Sequence, residues 1–224
     1  KVHFIAHGNP VFATAALPEG EPLKLLYFGF IYPGKGIEDL FDALAAVFRQ
    51  RPQARLALTM AGGSAPELAF GSRGNYLSQL RGRAAELGIA ERIQWQLDLP
   101  ASNIRGCVQA HHAMVLPYRD SKKLALLGRM RGTSGALSWA NASGRGVIAS
   151  DARAFAEEVS HGNGVVYAQG QSPALAERIV SLLDEPSLAG SWAIAASALG
   201  AQRQWATIAG EFAALFASVV ERKR

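Results

Sequence analysis

The chain has 224 residues, of which 49% are apolar and 18% charged, a balance that excludes an intrinsically disordered chain. The sequence contains no apolar run long enough for a membrane-spanning helix, and its single cysteine, Cys107, excludes an intramolecular disulfide framework and fits a reducing compartment. The net charge of +5 favours anionic partners such as phosphates, nucleic acid or acidic lipid, without selecting among them.

Short apolar runs alternate along the chain with segments of helical periodicity. The runs predict strands at 23–29, 55–61, 92–97, 113–117, 146–149 and 164–167. The periodic segments predict helices at 37–50, 75–87, 134–143 and 172–184, followed by an Ala-rich helical tail over 188–220. Segment 64–74 has no clear period and is the best candidate insertion. Nearly all-apolar strands that alternate with helices predict an α/β fold, with a parallel sheet covered on both faces.

Ligands of such sheets bind beyond the carboxyl ends of the strands. The loops of interest therefore follow Gly29, Ala61, Leu97, Pro117 and Ala149. In the first of these loops, glycines allow a tight turn and Lys35 stands just before a helix, where it can meet an anion. The loop matches neither the Walker A motif nor Gly-x-Gly-x-x-Gly, and a solvated lysine in a turn is the other interpretation.

Two further features lie between the fourth predicted strand and the next helix. Small residues at 132–135 expose backbone amides, and the hydroxyls of Thr133 and Ser134 can either bind phosphate or cap the helix. A basic cluster precedes them, in a segment that contains one acidic residue, Asp120. It consists of Arg119, Lys122, Lys123, Arg129 and Arg131. Its interpretations are a solvated loop or a grip on a diphosphate.

Other reactive side chains are less informative. His111 and His112 have no second cluster at metal-ligand spacing, and Cys107 has no activating partner nearby in sequence and is interpreted as a core residue. Aromatic residues do not interleave regularly with the basic ones, which disfavours a nucleic-acid partner.

Several segments, taken in order, resemble the C-terminal, nucleotide-sugar-binding domain of family 4 glycosyltransferases. They are 25–29 with 33–37, 58–63, 87–95, 114–117, 134–149 and 157–164. The resemblance covers most of the chain and implies a Rossmann-like, doubly wound parallel sheet that forms one lobe of a GT-B fold. It implies an interdomain segment at 1–20, a donor-binding domain at 21–187 and a C-terminal helical tail at 188–224. An N-terminal acceptor domain is then expected to precede residue 1.

The resemblance also implies site residues. The donor diphosphate would be bound by a set containing one lysine, one arginine and the small-residue turn: Lys35, Arg131, Gly132, Thr133, Ser134 and Gly135. The nucleotide would be framed by the loops that follow the second and third predicted strands: Gly62, Gly63, Leu97 and Asp98. Secondary candidates are Arg119, Arg129 and Glu157.

The implied reaction is sugar transfer from a nucleotide sugar, UDP- or GDP-linked, to an acceptor hydroxyl, with retention at the anomeric carbon. Cations and helix amides would stabilise the diphosphate leaving group, so neither a metal nor another cofactor is expected. The acceptor would be a glycan or a lipid-linked molecule bound through the preceding domain. The expected location is the cytoplasm, and peripheral contact with the inner face of a membrane is compatible with it.

The sequence departs from the family pattern at four positions. Arg131 and Trp139 stand where the family usually has two glutamates, Phe30 replaces an arginine, and His161 replaces an acid. These departures keep open a non-catalytic paralogue that binds a nucleotide sugar or a partner glycosyltransferase. Another nucleotide-linked α/β enzyme, such as an epimerase of GT-B shape or a dehydrogenase, is a third hypothesis, and the missing Gly-x-Gly-x-x-Gly disfavours the dehydrogenase.

Overall fold

The computed structural model describes residues 3–63, 70–71, 74–120 and 132–221. The strands are β1 Leu23–Phe28, β2 Leu56–Gly62, β3 Phe70–Gly71, β4 Gly74–Asn75, β5 Ile93–Leu97, β6 Ala113–Leu116, β7 Gly146–Ser150 and β8 Gly164–Tyr167. The helices are α1 Ile37–Gln50, α2 Tyr76–Glu86, α3 Ala101–Gln109, α4 Gly135–Ala142, α5 Phe155–Glu158, α6 Ser172–Asp184, α7 Ser187–Gln202 and α8 Trp205–Glu221, with a 3₁₀ turn at Ala90–Arg92. The α/β fold class is therefore confirmed.

Six strands form one parallel sheet in the order β5-β2-β1-β6-β7-β8. Because the chain builds outward from β1 to β5 and then returns to place β6 on the other side of β1, the order of strands reverses between β1 and β6. At such a switch point the loops that follow the two strands diverge and leave a crevice at the carboxyl edge. The fold therefore places the best ligand site beyond the ends of β1 and β6.

The central strands β1, β2, β6 and β7 are mostly buried on both faces because helices cover the sheet, as their near-continuous apolar sequences predict. In β1 the side chains of Leu25, Leu26 and Tyr27 are almost completely buried. Helix α1 turns one apolar face inward and packs against α6, while α4 packs against α7. These helices fix the positions of the loops at the carboxyl edge.

Helix α3 is the main element that the sequence pattern does not predict. It begins after Pro100, and among its residues only Val108 is buried, so it offers too short an apolar stripe to be recognised. The predicted helical tail is two helices, α7 and α8, and the backbone of Asn9 pairs with the chain at the break between them. The amide of Asn9 donates to the Arg203 carbonyl (2.6 Å), and the Trp205 amide donates to the Asn9 carbonyl (3.3 Å).

Among the helices in the described ranges, none is long and apolar enough to cross a lipid bilayer. The antiparallel pair β3–β4 has strands of two residues each. It begins within the segment 64–74, which was predicted to be an insertion, and extends one residue beyond it, to Asn75.

Candidate functional site

The lysine of the first loop lies in the crevice at the switch point. Lys35 is only 8% exposed, and its Nζ lies 3.7 Å from the centroid of the Tyr118 ring and 5.1 Å from that of Tyr32. The π-electrons of these rings attract the ammonium group. Burial, and secondarily the positive charge of Arg153, lower the pKa of Lys35 to about 8. The side chain is therefore a desolvated cation that an anionic ligand would further stabilise.

Gly36 allows the lysine loop to approach the end of β6. Its φ is +68°, in the left-handed region, and a Cβ built at this position would lie 1.7 Å from the Pro117 carbonyl oxygen. The Arg119 amide donates to the Gly34 carbonyl at 3.3 Å, which holds the two loops together. A residue with a side chain cannot occupy position 36 without separating the loops that form the crevice.

Tyr118 joins the lysine to the small-residue turn. Ser134 is buried immediately before α4, makes no capping hydrogen bond with its side chain, and donates through Oγ to the Tyr118 hydroxyl at 3.4 Å. The capping interpretation of Ser134 is therefore wrong, because its hydroxyl points to the tyrosine and not to the helix amides. Lys35 and the 132–135 turn therefore both contact Tyr118, although 97 positions separate Lys35 from Gly132 in the sequence.

The four residues predicted to frame a nucleotide lie together at the ends of β2 and β5. The Asp98 amide donates to the Gly62 carbonyl at 3.2 Å, and the Ile31 amide donates to the Gly63 carbonyl at 3.0 Å. Asp98 adopts a positive φ of 54°, and a Cβ on Gly63 would approach its Oδ1 to 3.1 Å. Leu97 ends β5 beside this turn. These residues therefore lie at the carboxyl edge of the sheet, on the β2–β5 side of the switch point.

Arg119 is engaged by a carboxylate. Its guanidinium donates through Nε to Oδ2 of Asp39 at 2.5 Å and through Nη2 to the second oxygen, and Asp39 is buried in the first turn of α1. The hydrogen bond to Asp39 raises the pKa of Arg119. This bidentate pair largely neutralises the arginine and ties the β6 loop to α1. The other members of the basic cluster, Lys122, Lys123, Arg129 and Arg131, lie outside the described residues.

Glu157 lies on the surface of α5 and lines a cavity of about 530 Å³. The same cavity is lined by Thr133 of the small-residue turn and by the side chains of His7, Trp205 and Phe212. Its wall thus combines a carboxylate, a hydroxyl and aromatic surface. The adjacent Glu158 faces inward and forms an ion pair with Arg203.

The sequence analysis missed Arg153, which follows β7. Its guanidinium carbon lies 5.3 Å from the centroid of the Tyr118 ring, and its backbone has a positive φ of 56°. The signal was available, because the loop after Ala149 is one of those predicted to lie at the carboxyl edge. The tyrosines that surround Lys35 also lie in loops predicted at this edge, because Tyr32 follows Gly29 and Tyr118 follows Pro117.

The described part of the chain contains no group of three His, Cys, Asp or Glu side chains placed to hold a metal ion. Cys107 packs against the core, and burial raises the pKa of its thiol, which makes it a poor nucleophile. The groups described at the crevice can bind an anion, because they include the desolvated Lys35 ammonium and the backbone amides at the start of α4.

Comparisons with known proteins identify the family and the fold. The family model described as "Glycosyl transferases group 1" matches residues 12–198. A D-inositol 3-phosphate glycosyltransferase of Thermobispora bispora is 26% identical over 200 residues, which cover 88% of this chain and 44% of the relative. The chain thus spans less than half of that relative's length.

Solved structures share the fold. Anabaena Alr3699/HepE in complex with UDP-glucose superposes with a TM-score of 0.71 at 24% identity, over 88% of this chain and 49% of that one. Sucrose-phosphate synthase from Thermosynechococcus elongatus gives a TM-score of 0.73 at 24% identity, over 97% and 52%. The C-terminal domain of the group 1 protein LpcC from Francisella tularensis gives 0.63 at 20% identity, over 80% and 85%. The likeness to a C-terminal domain over most of its length matches the expectation of a single lobe.

Proposed function

Because the chain belongs to the group 1 glycosyltransferase family, we propose that it is the donor-binding lobe of an enzyme that transfers a sugar from a nucleotide sugar to an acceptor hydroxyl. The observation that carries this proposal is the meeting of Lys35, Tyr118 and Ser134 at the switch point of the sheet. A desolvated cation beside the start of a helix is a site for phosphate oxygens. The UDP-glucose complex of the Anabaena neighbour supports a UDP-sugar as the donor.

In the proposed reaction the bond between the anomeric carbon and the diphosphate oxygen breaks and a bond to the acceptor oxygen forms, while the proton of the acceptor hydroxyl passes to the departing diphosphate. Negative charge grows on the departing diphosphate. The Lys35 ammonium and the amides that begin α4 at Gly135 would meet this charge, while Gly62, Gly63, Leu97 and Asp98 frame the nucleoside. We further propose retention at the anomeric carbon, by analogy with the family.

The acceptor would be bound by a second lobe. The chain covers only 44–52% of the full-length relatives named above, and the cavity beside Glu157 opens next to the turn that begins α4. Its mixture of carboxylate, hydroxyl and aromatic surface suits a sugar, which has hydroxyls and apolar faces. We therefore propose a glycan or lipid-linked acceptor. By analogy with the family, we further propose a cytoplasmic protein that contacts the inner face of a membrane peripherally.

One observation favours a second function, donor binding without transfer. Trp139 is packed between aromatic rings, 4.9 Å from the centroid of Phe12 and 6.1 Å from that of Phe28, in a position where the family pattern has a glutamate. A tryptophan in this position cannot hydrogen-bond donor hydroxyls as a carboxylate would. Under this alternative the protein binds a nucleotide sugar and turns over none.

Calorimetry and turnover assays test both functions. We expect the chain to bind UDP and UDP-glucose, and GDP less tightly if the donor is a uridine nucleotide. A longer protein that contains both lobes should release UDP from UDP-glucose in the presence of acceptor glycans. Binding without release would support the non-catalytic alternative, and no binding of either nucleotide would contradict both.

The depressed pKa of Lys35 predicts how UDP binding depends on pH. With a pKa of about 8 in the free protein, the ammonium is mostly charged at pH 7 and mostly neutral at pH 9. We therefore expect the dissociation constant of UDP to rise about tenfold from pH 7 to pH 9, because each unit above the pKa lowers the charged fraction tenfold. In a Lys35→Arg variant, whose guanidinium stays charged, calorimetry should give a flatter profile. Equal slopes for both proteins would rule out titration of Lys35 as the cause.

A further inference from the structure

Two cations share one aromatic ring in the crevice. The Nζ of Lys35 and the guanidinium carbon of Arg153 lie 3.7 Å and 5.3 Å from the centroid of Tyr118. Their like charges repel, and the charge of Arg153 lowers the pKa of Lys35. Among the described residues, neither cation forms an ion pair with a carboxylate. An arrangement that holds two such charges together is stabilised when an anion binds between them.

The backbone of Arg153 is held in an uncommon conformation. Its φ of 56° is in the left-handed region, where glycine is favoured and a long side chain such as arginine is rare. The other positive-φ residue among the described non-glycines is Asp98, a type that tolerates this region far better. Strained residues of this kind cluster at ligand sites. A glycine would fit this backbone conformation better. The presence of an arginine therefore indicates a role for its side chain.

A network of hydrogen bonds fixes the loop that carries Arg153. Its amide donates to both carboxylate oxygens of Asp120, at 3.2 and 3.4 Å. The Asp120 amide donates to Oε1 of Gln169 at 2.8 Å, and the Gln169 amide donates to Oδ1 of Asp151 at 2.9 Å. The carboxylate of Asp120 thus accepts hydrogen bonds from the backbone amide of Arg153. This network joins the loops after β6, β7 and β8, and it fixes the backbone of Arg153 before a ligand arrives.

We infer that, within the described ranges, Arg153 is a second cation of the donor diphosphate site, where it and Lys35 bind the diphosphate together in the switch-point crevice. The inference rests on the proposed function. Its chemical basis is the guanidinium group, which donates several hydrogen bonds in a planar fork that matches phosphate oxygens, whereas the lysine acts as a point charge. Arg153 therefore contributes orientation as well as charge to the binding of the leaving group.

The test separates the side chain from the backbone with an Arg153→Gly variant. Glycine accepts a φ of 56° without strain, so this variant should melt at or above the temperature of the wild-type chain while it binds UDP about tenfold more weakly. Arg153→Ala, which keeps a Cβ, should show the same loss of affinity. The readouts are calorimetric titration with UDP at low salt and thermal unfolding of each variant.

The matched control is Arg92→Ala. Arg92 also places its guanidinium over a ring, 5.0 Å from the centroid of Phe48, but it precedes β5 and so lies at the amino edge of the sheet. Its removal changes the net charge equally and should leave UDP affinity within twofold of the wild type. If the Arg153 variants bind UDP as the wild-type chain does, the inference is overturned and the proposed function stands. If the wild-type chain binds no nucleoside diphosphate, the proposed function fails and the inference fails with it.

Discussion

Replacement of Lys35 by methionine should weaken the binding of UDP on the order of a hundredfold at pH 7. A charge-assisted hydrogen bond contributes about 1.5–3 kcal/mol, and the buried ammonium has already lost much of its hydration, so little must be removed when the diphosphate arrives. Methionine keeps an unbranched apolar stem against Tyr32 and Tyr118. The variant should therefore fold normally, and calorimetric titration with UDP measures the lost charge.

Lys24→Met is the control for this substitution. Lys24 is exposed at the start of β1, at the opposite edge of the sheet from the crevice, and it makes the same change in net charge. We expect its effect on UDP affinity to be less than twofold, because an exposed charge at that distance is screened by salt. If both variants lose affinity equally, UDP responds to the overall charge of the protein, and Lys35 does not bind the diphosphate.

The architecture could be predicted from the sequence because burial on both faces leaves a clear pattern. Runs such as Leu23–Phe28 and Gly146–Ser150 are nearly all apolar, which is typical of central parallel strands. Helix α1 was recognisable from its apolar period, whereas α3 was not, since only Val108 of its nine residues is buried. The order of strands, and hence the switch point between β1 and β6, became known only from the structure.

The site could be predicted only where one loop carries its own signal. Lys35 was recognisable because it stands between a buried strand and a helix, at the edge where parallel sheets bind ligands. The contacts between the loops were not recognisable from the sequence. Asp39 and Arg119 pair across 80 positions, and Tyr118 contacts Ser134 across 16. Such pairs depend on which strands are neighbours, and local patterns do not determine that. The donor roles assigned from resemblance therefore stay predictions for the binding experiments.

Replacement of Gly36 by alanine should lower the free energy of unfolding by about 3 kcal/mol or more. The left-handed conformation alone costs a residue with a Cβ about 1–2 kcal/mol, and at a φ of +68° alanine would incur this cost. The new Cβ would also lie 1.7 Å from the Pro117 carbonyl oxygen, which is backbone and cannot rotate away. The loops that follow β1 and β6 must then separate, at a cost of about 1–3 kcal/mol. Urea unfolding measures the loss.

Gly34→Ala provides the comparison that isolates the contact with Pro117. Gly34 also has a positive φ, of +93°, but a Cβ there would meet nothing within 4 Å. This variant should lose only the conformational part, about 1–2 kcal/mol. Gly36→Ala also separates the loops around Lys35, whereas Gly34→Ala does not. The folded fraction of Gly36→Ala should therefore bind UDP more weakly than that of Gly34→Ala. Equal losses of stability in the two variants would show that the close approach of Gly36 to the end of β6 does not hold the crevice together.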